Sequence, residues 1–169
     1  MGGTLFTALA AYSGCTATRW YLDRSSRRDT DCLGGRVRLK AVWNEGAAFS
    51  LPIPAEVLPL ASAAALGLLW SRRKRCPLGT GLILGGGLSN LQERLTEGRV
   101  YDYLQFPRVP RPLDRYVFNL ADLCVFAGGA LCLRREGGRS RPGNTEKARR
   151  KNGGHRNSPG LDRRGRPGL

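Results

Sequence analysis

Two aspartates stand where an acid–base pair can work. Asp102 lies in Val100-Tyr101-Asp102-Tyr103-Leu104-Gln105-Phe106, and Asp122 lies in Phe118-Asn119-Leu120-Ala121-Asp122. Asp122 is the one charge in an apolar stretch, Tyr116–Leu133. A carboxylate in such a stretch is costly, so it faces a bundle interior or a wet cavity and marks function. The plainer alternative is a hydrogen bond that pairs two helices. Two carboxylates forced together cannot both ionise cheaply, and one keeps a proton. The ionised one activates a water while the protonated one polarises a carbonyl. That is the logic of aspartic proteolysis, and it needs neither metal nor histidine. The pKa values then belong to the pair. Composition removes the main competitors. The single histidine, His155, sits among Gly, Asn and Arg with nothing to orient it, which excludes a Ser/His/Asp or Cys/His triad. Five cysteines, at 15, 32, 76, 124 and 132, form no CxxC pair. This odd set argues against a disulfide framework and against a zinc site. No cofactor and no metal are expected, and Cys124 and Cys132 read as small apolar packing residues.

Helices must position these groups. Four apolar stretches stand out: Thr4–Thr18, Val57–Ser71, Cys76–Gln92 and Tyr116–Leu133. Each is a little short of the roughly 20 residues that span a bilayer as a straight helix. Flanking residues such as Trp20-Tyr21-Leu22 and Leu51-Pro52-Ile53 extend them. Four such stretches, rich in Gly and Ala, favour a compact membrane bundle over the alternative of a soluble helical core. Small residues let helices approach closely in lipid, and Gly85-Gly86-Gly87 and Gly128-Gly129 suit that use. Met1–Cys15 resembles a short secretory signal but lacks a positive leading region, so it reads as the first transmembrane helix. The third and fourth helices are consecutive and therefore antiparallel. Their outer ends adjoin, which brings Asp102 and Asp122 together near the outer membrane surface. Between the first two helices, Arg36-Val37-Arg38-Leu39-Lys40-Ala41-Val42 alternates as a half-buried strand should.

Charge sets the expected orientation. Lys+Arg is 28 and Asp+Glu is 13, a formal net charge of +15. Residues 134–169 hold twelve Lys/Arg against three acids, and residues 1–133 hold sixteen against ten. The mean hydropathy of −0.34 thus averages an apolar body with a polar tail. The Arg72-Arg73-Lys74-Arg75 loop and the tail fall on one side of a four-span bundle, the cytoplasmic side by the positive-inside rule. Segments 23–53 and 93–115 then face outward, although the first carries six Lys/Arg against that rule. The tail cannot bury enough apolar surface to order itself and is expected to be disordered. It reads as an anchor on anionic headgroups rather than a nucleic-acid binder, because no aromatic interleaves its charges.

Four segments carry a family resemblance. Asn44-Glu45-Gly46-Ala47-Ala48-Phe49-Ser50 is similar to the NxGAAF motif of bacterial signal peptidase II, the lipoprotein signal peptidase. Gly85-Gly86-Gly87-Leu88-Ser89-Asn90-Leu91-Gln92-Glu93-Arg94 resembles its GGALGNLxDR motif, and Gly98-Arg99-Val100-Tyr101-Asp102-Tyr103 its GxVxDF motif. Phe118-Asn119-Leu120-Ala121-Asp122 matches its FNLAD motif. The motifs follow the family's order over roughly residues 4–133. The resemblance implies a four-helix integral membrane protease, mainly α, with a small extracytoplasmic β-containing platform over residues 23–53. It implies a peptidase domain over 1–133 and a disordered basic cytoplasmic tail over 134–169. It implies an aspartic endopeptidase that removes signal peptides from diacylglyceryl prolipoproteins, cutting before the lipidated cysteine. The partners expected are those prolipoproteins and membrane lipids, with no specific nucleic acid. Asp102 and Asp122 match the catalytic dyad. Asn119 and Ala121 match residues that shape the second aspartate's surroundings. Asn44, with Gly46 and Ala47, matches the substrate-facing motif, and Asn90 and Arg94 match residues that buttress the site. Two positions depart: Cys15 stands where the first-helix motif has aspartate, and Glu93 where the third-helix motif has aspartate. They motivate an alternative reading, a relative that binds lipidated peptides without cutting them.

Overall fold

The computed structural model describes residues 2–25, 29–46 and 57–139. One compact unit covers residues 1–136, and residues 137–169 cluster separately. Four helices and one small sheet make up the fold. Helix α1 spans Gly2–Arg24, α2 Val57–Ser71, α3 Pro77–Glu97 and α4 Leu120–Arg139. Strands β1 (Thr30–Cys32) and β2 (Val37–Asn44) follow α1, and β3 (Val100–Gln105) and β4 (Val117–Phe118) lie between α3 and α4. The sheet order is β1-β2-β3-β4, with every pairing antiparallel.

The expected helices are present, and α2 matches its apolar stretch residue for residue. None of the helices among the described residues is long and apolar enough to cross a membrane. The reason is visible in composition. Helix α2 is apolar throughout but only 15 residues long. The longer α1, α3 and α4 are diluted by Gly, Ser and Thr and by charges at their ends. Helix α4 also begins later than its apolar stretch, at Leu120, and runs past Leu133 through Arg139. Residues 134–139, expected to belong to a disordered tail over 134–169, are instead the last residues of α4, and residues 140–169 lie outside the described residues.

Helix α3 is the hub, and its glycines explain why. Three consecutive positions face three different neighbours. A Cβ on Gly85 would meet the side chain of Ala11 on α1 at 2.7 Å. One on Gly86 would meet the carbonyl oxygen of Ala121 on α4 at 2.5 Å, and one on Gly87 the side chain of Leu66 on α2 at 2.7 Å. Further along, Gly79 and Gly128 face each other so closely that neither tolerates a methyl group. Small residues thus let four backbones converge without large side chains between them. The consequence is an inverted distribution of polarity. Thr4, Thr80 and Ser89 are buried, while Phe6, Leu60 and Leu133 are 75%, 74% and 72% exposed.

Two local devices link bundle to sheet. Pro77 starts α3 at a position where its missing N–H costs nothing. Gly98 ends the helix in the left-handed conformation, φ 70°, and its N–H returns to the carbonyl of Arg94. That reversal sends the chain straight into β3. There, β2 pairs with β3 so that Val42 faces Asp102 and Asn44 faces Val100. The alternation expected over 36–42 does give a strand, but its two faces are not cleanly buried and exposed. A register shift between Leu39 and Val42 breaks the period.

Candidate functional site

Asp102 and Asp122 line the same cleft, a volume of about 630 Å³ bounded by α2, α3, α4 and the sheet. They reach it from different elements. Asp102 sits on β3 and is 4% exposed. Its neighbours Val100, Tyr101 and Tyr103 are buried too, so this strand is covered on both faces. Asp122 sits in the first turn of α4. The apolar stretch alone suggested a position seven residues into a helix; the structure corrects this because Asn119 caps α4. The Asn119 side-chain oxygen accepts the N–H of Asp122 at 2.9 Å, and Asp122 Oδ2 accepts the N–H of Asn119 at 3.1 Å. This reciprocal pair is a capping box, which fixes both side chains as it starts the helix. The helix N-terminus also favours a negative group at that place.

Three asparagines hold the two carboxylates. Asn44 donates through Nδ2 to Asp102 Oδ2 at 2.9 Å, and Asn119 donates through Nδ2 to Asp102 Oδ1 at 2.9 Å. Asn90 on α3 donates through Nδ2 to Asp122 Oδ1 at 2.9 Å. The Asn119 amide also donates to Asn90 Oδ1 at 3.1 Å. Asn119 therefore touches Asp102, Asp122 and Asn90 at once, and it joins strand to helix. Burial pushes the Asp102 carboxyl up from its ordinary 3.8 to about 7. The nearby charge of Asp122 adds to that rise, while the amides of Asn44 and Asn119 oppose it.

The remaining expected residues fall around this core. Arg94 lines the cleft and donates through Nη2 to the Gly46 carbonyl at 3.0 Å, while the Gly46 N–H binds Asn44 Oδ1 at 3.0 Å. Arg94 and Asn44 thus hold the chain end that leaves β2. Ala121 is buried, 3% exposed, against Gly86. Ala47 lies outside the described residues. Glu93 accepts the Tyr101 N–H at 2.8 Å, and Arg19 lies 3.9 Å from the same carboxylate oxygen. Both Arg19 and Arg99 stand over the Trp43 ring, at 5.7 and 4.4 Å.

Two contributors carried no role in the sequence reading. The Tyr103 hydroxyl accepts the N–H of Leu120 at 3.0 Å, a second tie between β3 and the start of α4. Its place two residues along from Tyr101, on a strand with both faces covered, was the available signal. Trp43 is the other; its ring packs on Tyr101 with centroids 5.1 Å apart.

Chemically, this cleft holds two carboxylates with amide donors on both and, among the described residues, no group of three or more metal-ligating side chains. Its lining also includes the apolar side chains of Leu58, Ala65, Leu66 and Leu69 of α2, with Ser62 among them, Ile83 of α3, and Val125 and Phe126 of α4. Such a site fits hydrolysis of an extended peptide whose neighbouring group is greasy.

Comparisons with known proteins point to one family. The sequence profile of the signal peptidase (SPase) II family matches residues 10–135. A lipoprotein signal peptidase of Nitrobacter hamburgensis is 35% identical over 102 residues, which cover 53% of this chain and 62% of that protein. One from Chlorobaculum parvum is 40% identical over 108 residues, covering 56% and 68%. One from Syntrophomonas wolfei is 38% identical over 120 residues, covering 67% and 74%. The chain thus spans less than two thirds of the Nitrobacter relative. A solved structure described as a bacterial membrane enzyme superposes with a TM-score of 0.69 over 96% of both chains, at 14% identity.

Proposed function

The chain belongs to the signal peptidase II family, and from that premise we propose that it is a membrane aspartic endopeptidase that removes signal peptides from diacylglyceryl-modified prolipoproteins, cutting before the lipidated cysteine. The observation that carries this reading is the joint made by Asn119, which holds Asp102 and Asp122 on one cleft. Asp102 is the more natural holder of the shared proton, since its carboxyl is pushed up to about 7. In that state it donates to the scissile carbonyl. Asp122, in the first turn of α4, takes a proton from the attacking water. The tetrahedral intermediate then collapses as the proton passes to the leaving amine. Extended substrate backbone finds amide partners in Asn44 and Asn90, and the apolar wall of α2 and α4 suits acyl chains.

The inverted polarity of the bundle supports residence in lipid. Large apolar side chains on the outside and buried hydroxyls between helices suit a solvent of acyl chains. We place the helices across the cell membrane as a multi-pass bundle, with Arg72–Arg75 and the tail on the cytoplasmic side and the sheet outside. Helices shorter than a straight span fit by local thinning of the bilayer and by Arg side chains near their ends. Arg24 over Trp20, at 4.2 Å, and Arg73 over Trp70, at 4.3 Å, are suited to the two interfaces. The domain reading remains a peptidase body over 1–133 with a basic tail. The non-cleaving alternative has no feature in its favour among the described residues, because both carboxylates and their amide donors are in place.

The test is cleavage of a diacylglyceryl prolipoprotein by membranes containing this chain, beside Asp102→Asn and Asp122→Asn. Product from the wild type alone supports the dyad. Equal product from either variant removes that residue from the chemistry. No product from inserted, folded wild type would leave a lipopeptide-binding relative.

A further inference from the structure

We propose that Cys15 and Cys124 form a cross-linking site, an oxidisable thiol pair through which a disulfide joins α1 to α4 beside the aspartate pair. Their sulfur atoms lie 4.0 Å apart although 109 positions separate them in the chain. Both thiols are free. Cys15 is 3% exposed and Cys124 is half-buried.

The backbone explains the meeting. Gly85 seats α1 through Ala11 and Tyr12, and Gly86 seats α4 through Ala121 and the Cβ of Cys124. Successive glycines on α3 thus bring two other helices over the same spot, and their side chains touch there. Cys15 lies one turn beyond Ala11, and Cys124 lies two residues beyond Asp122. A disulfide sulfur–sulfur bond is about 2.05 Å, so closure requires the atoms to approach by roughly 2 Å. Rotation about the side-chain torsions supplies much of that without separating helices that glycines hold in contact. The expectation that Cys124 is only packing filler is therefore incomplete. Cys76 and Cys132 make a second meeting further along α4, where both sulfurs lie 2.8 Å from the place of a Cβ on Gly79. Only the Cys15 pair lies within a turn of the dyad.

The chemistry balances with an apolar organic disulfide as oxidant. Cys124, the more exposed thiol, attacks it and releases one small thiol. Cys15 then attacks the mixed disulfide and releases the second. Two electrons pass from the protein sulfurs to the reagent, and the two thiol protons leave on its two products. The cross-link ties the turn that carries Asp122 to α1.

The test uses dithiodipyridine on the full chain in detergent micelles, with readouts independent of peptide cleavage. In a chain with Cys32, Cys76 and Cys132 changed to Ser, the expected product has lost two hydrogens and carries no thiopyridyl group. It yields one linked peptide pair containing Cys15 and Cys124, and dithiothreitol reverses it. Adding C15S to that background should leave a thiopyridyl group on Cys124. Thiopyridyl groups on both cysteines at once, or two unreacted thiols, would overturn the proposal. The unsubstituted chain provides the second measurement: absence of the Cys15–Cys124 linked peptides from its oxidised digest overturns it equally.

Discussion

Replacing Asp102 by Asn should make the protein more stable as it removes the activity, and the gain should grow with pH. Asp102 is almost fully buried, and its folded-state carboxyl is raised from 3.8 to about 7. Between those values the unfolded chain releases the proton while the folded chain keeps it. The folded state therefore binds more protons, and wild-type stability falls as pH rises through that window. Above about pH 7 the loss is complete. A shift of that size corresponds to about 4 kcal/mol in all, of which roughly 2 kcal/mol has already accrued by pH 5. Asparagine has no charge to lose, so the variant escapes this cost. It meets another, because Asn44 and Asn119 both donate to Asp102, and an amide offers one oxygen where a carboxylate offers two. One donor is left facing a donor, at about 1–3 kcal/mol. That second cost hardly depends on pH. The variant-minus-wild-type difference should thus be about 2–3 kcal/mol more favourable at pH 8 than at pH 5. Thermal unfolding in detergent, followed by circular dichroism at both pH values, measures it. An equal difference at the two values would refute the claim that burial of this charge is what the fold bears.

Other expectations follow from the same contacts. Asn119→Ala removes the cap of α4 and the joint between the carboxylates; it should lower turnover at least tenfold and stability by about 1 kcal/mol, read by cleavage assay and melting. Gly86→Ala drives a methyl group against the Ala121 carbonyl, whereas Gly129→Ala meets nothing within 4 Å. The first should cost about 1–3 kcal/mol and depress cleavage, and the second should be neutral or mildly stabilising in the same melts. Glu93→Asp should withdraw the acceptor from the buried Tyr101 N–H and cost about 1–3 kcal/mol, with slower cleavage as β3 loosens.

Much of the site was legible because its residues are expensive. A carboxylate in an apolar stretch and a run of three glycines both announce contacts that cheaper residues would not need. Asp122 and Gly85-Gly86-Gly87 were found that way, whereas Asn119 came only from the family motif. Asp102 was harder, since a carboxylate just past a helix reads as an ordinary loop residue until its partner is known. What the sequence hid is contact across long separations. Nothing local tells Asn44 to reach Asp102, 58 positions away, or Cys15 to reach Cys124. The start of α4 was displaced for a related reason. Apolarity begins at Tyr116, but β4 takes Val117 and Phe118 for pairing with β3, and the helix waits for Asn119. A two-residue strand leaves no periodicity to detect.

The choice of asparagine around the dyad has an electrostatic logic. Two carboxylates in a cleft need hydrogen-bond donors, and lysine or arginine would supply them with a positive charge. A cation bonded directly to either oxygen would favour ionisation of both aspartates, and the pair would lose the proton that the proposed acid catalysis needs. Amide donors satisfy the oxygens without adding a net charge, and at Asp102 burial outweighs the pull they exert toward ionisation. The cation nearest the scheme, Arg94, does lie close enough to lower the Asp102 carboxyl, yet its Nη2 is bonded to the Gly46 carbonyl instead. The guanidinium thereby anchors the chain beyond β2 while its charge stays one step removed from the oxygens. Arg19 is handled in the same way, since Glu93 and Glu97 on α3 and the face of Trp43 receive it. With fixed charges diverted to neighbouring structure, the proposed dyad can keep its proton on Asp102, whose carboxyl burial pushes up to about 7. Glu93 keeps that arrangement intact where aspartate was expected, because its longer side chain reaches both Arg19 and the β3 backbone one residue from Asp102.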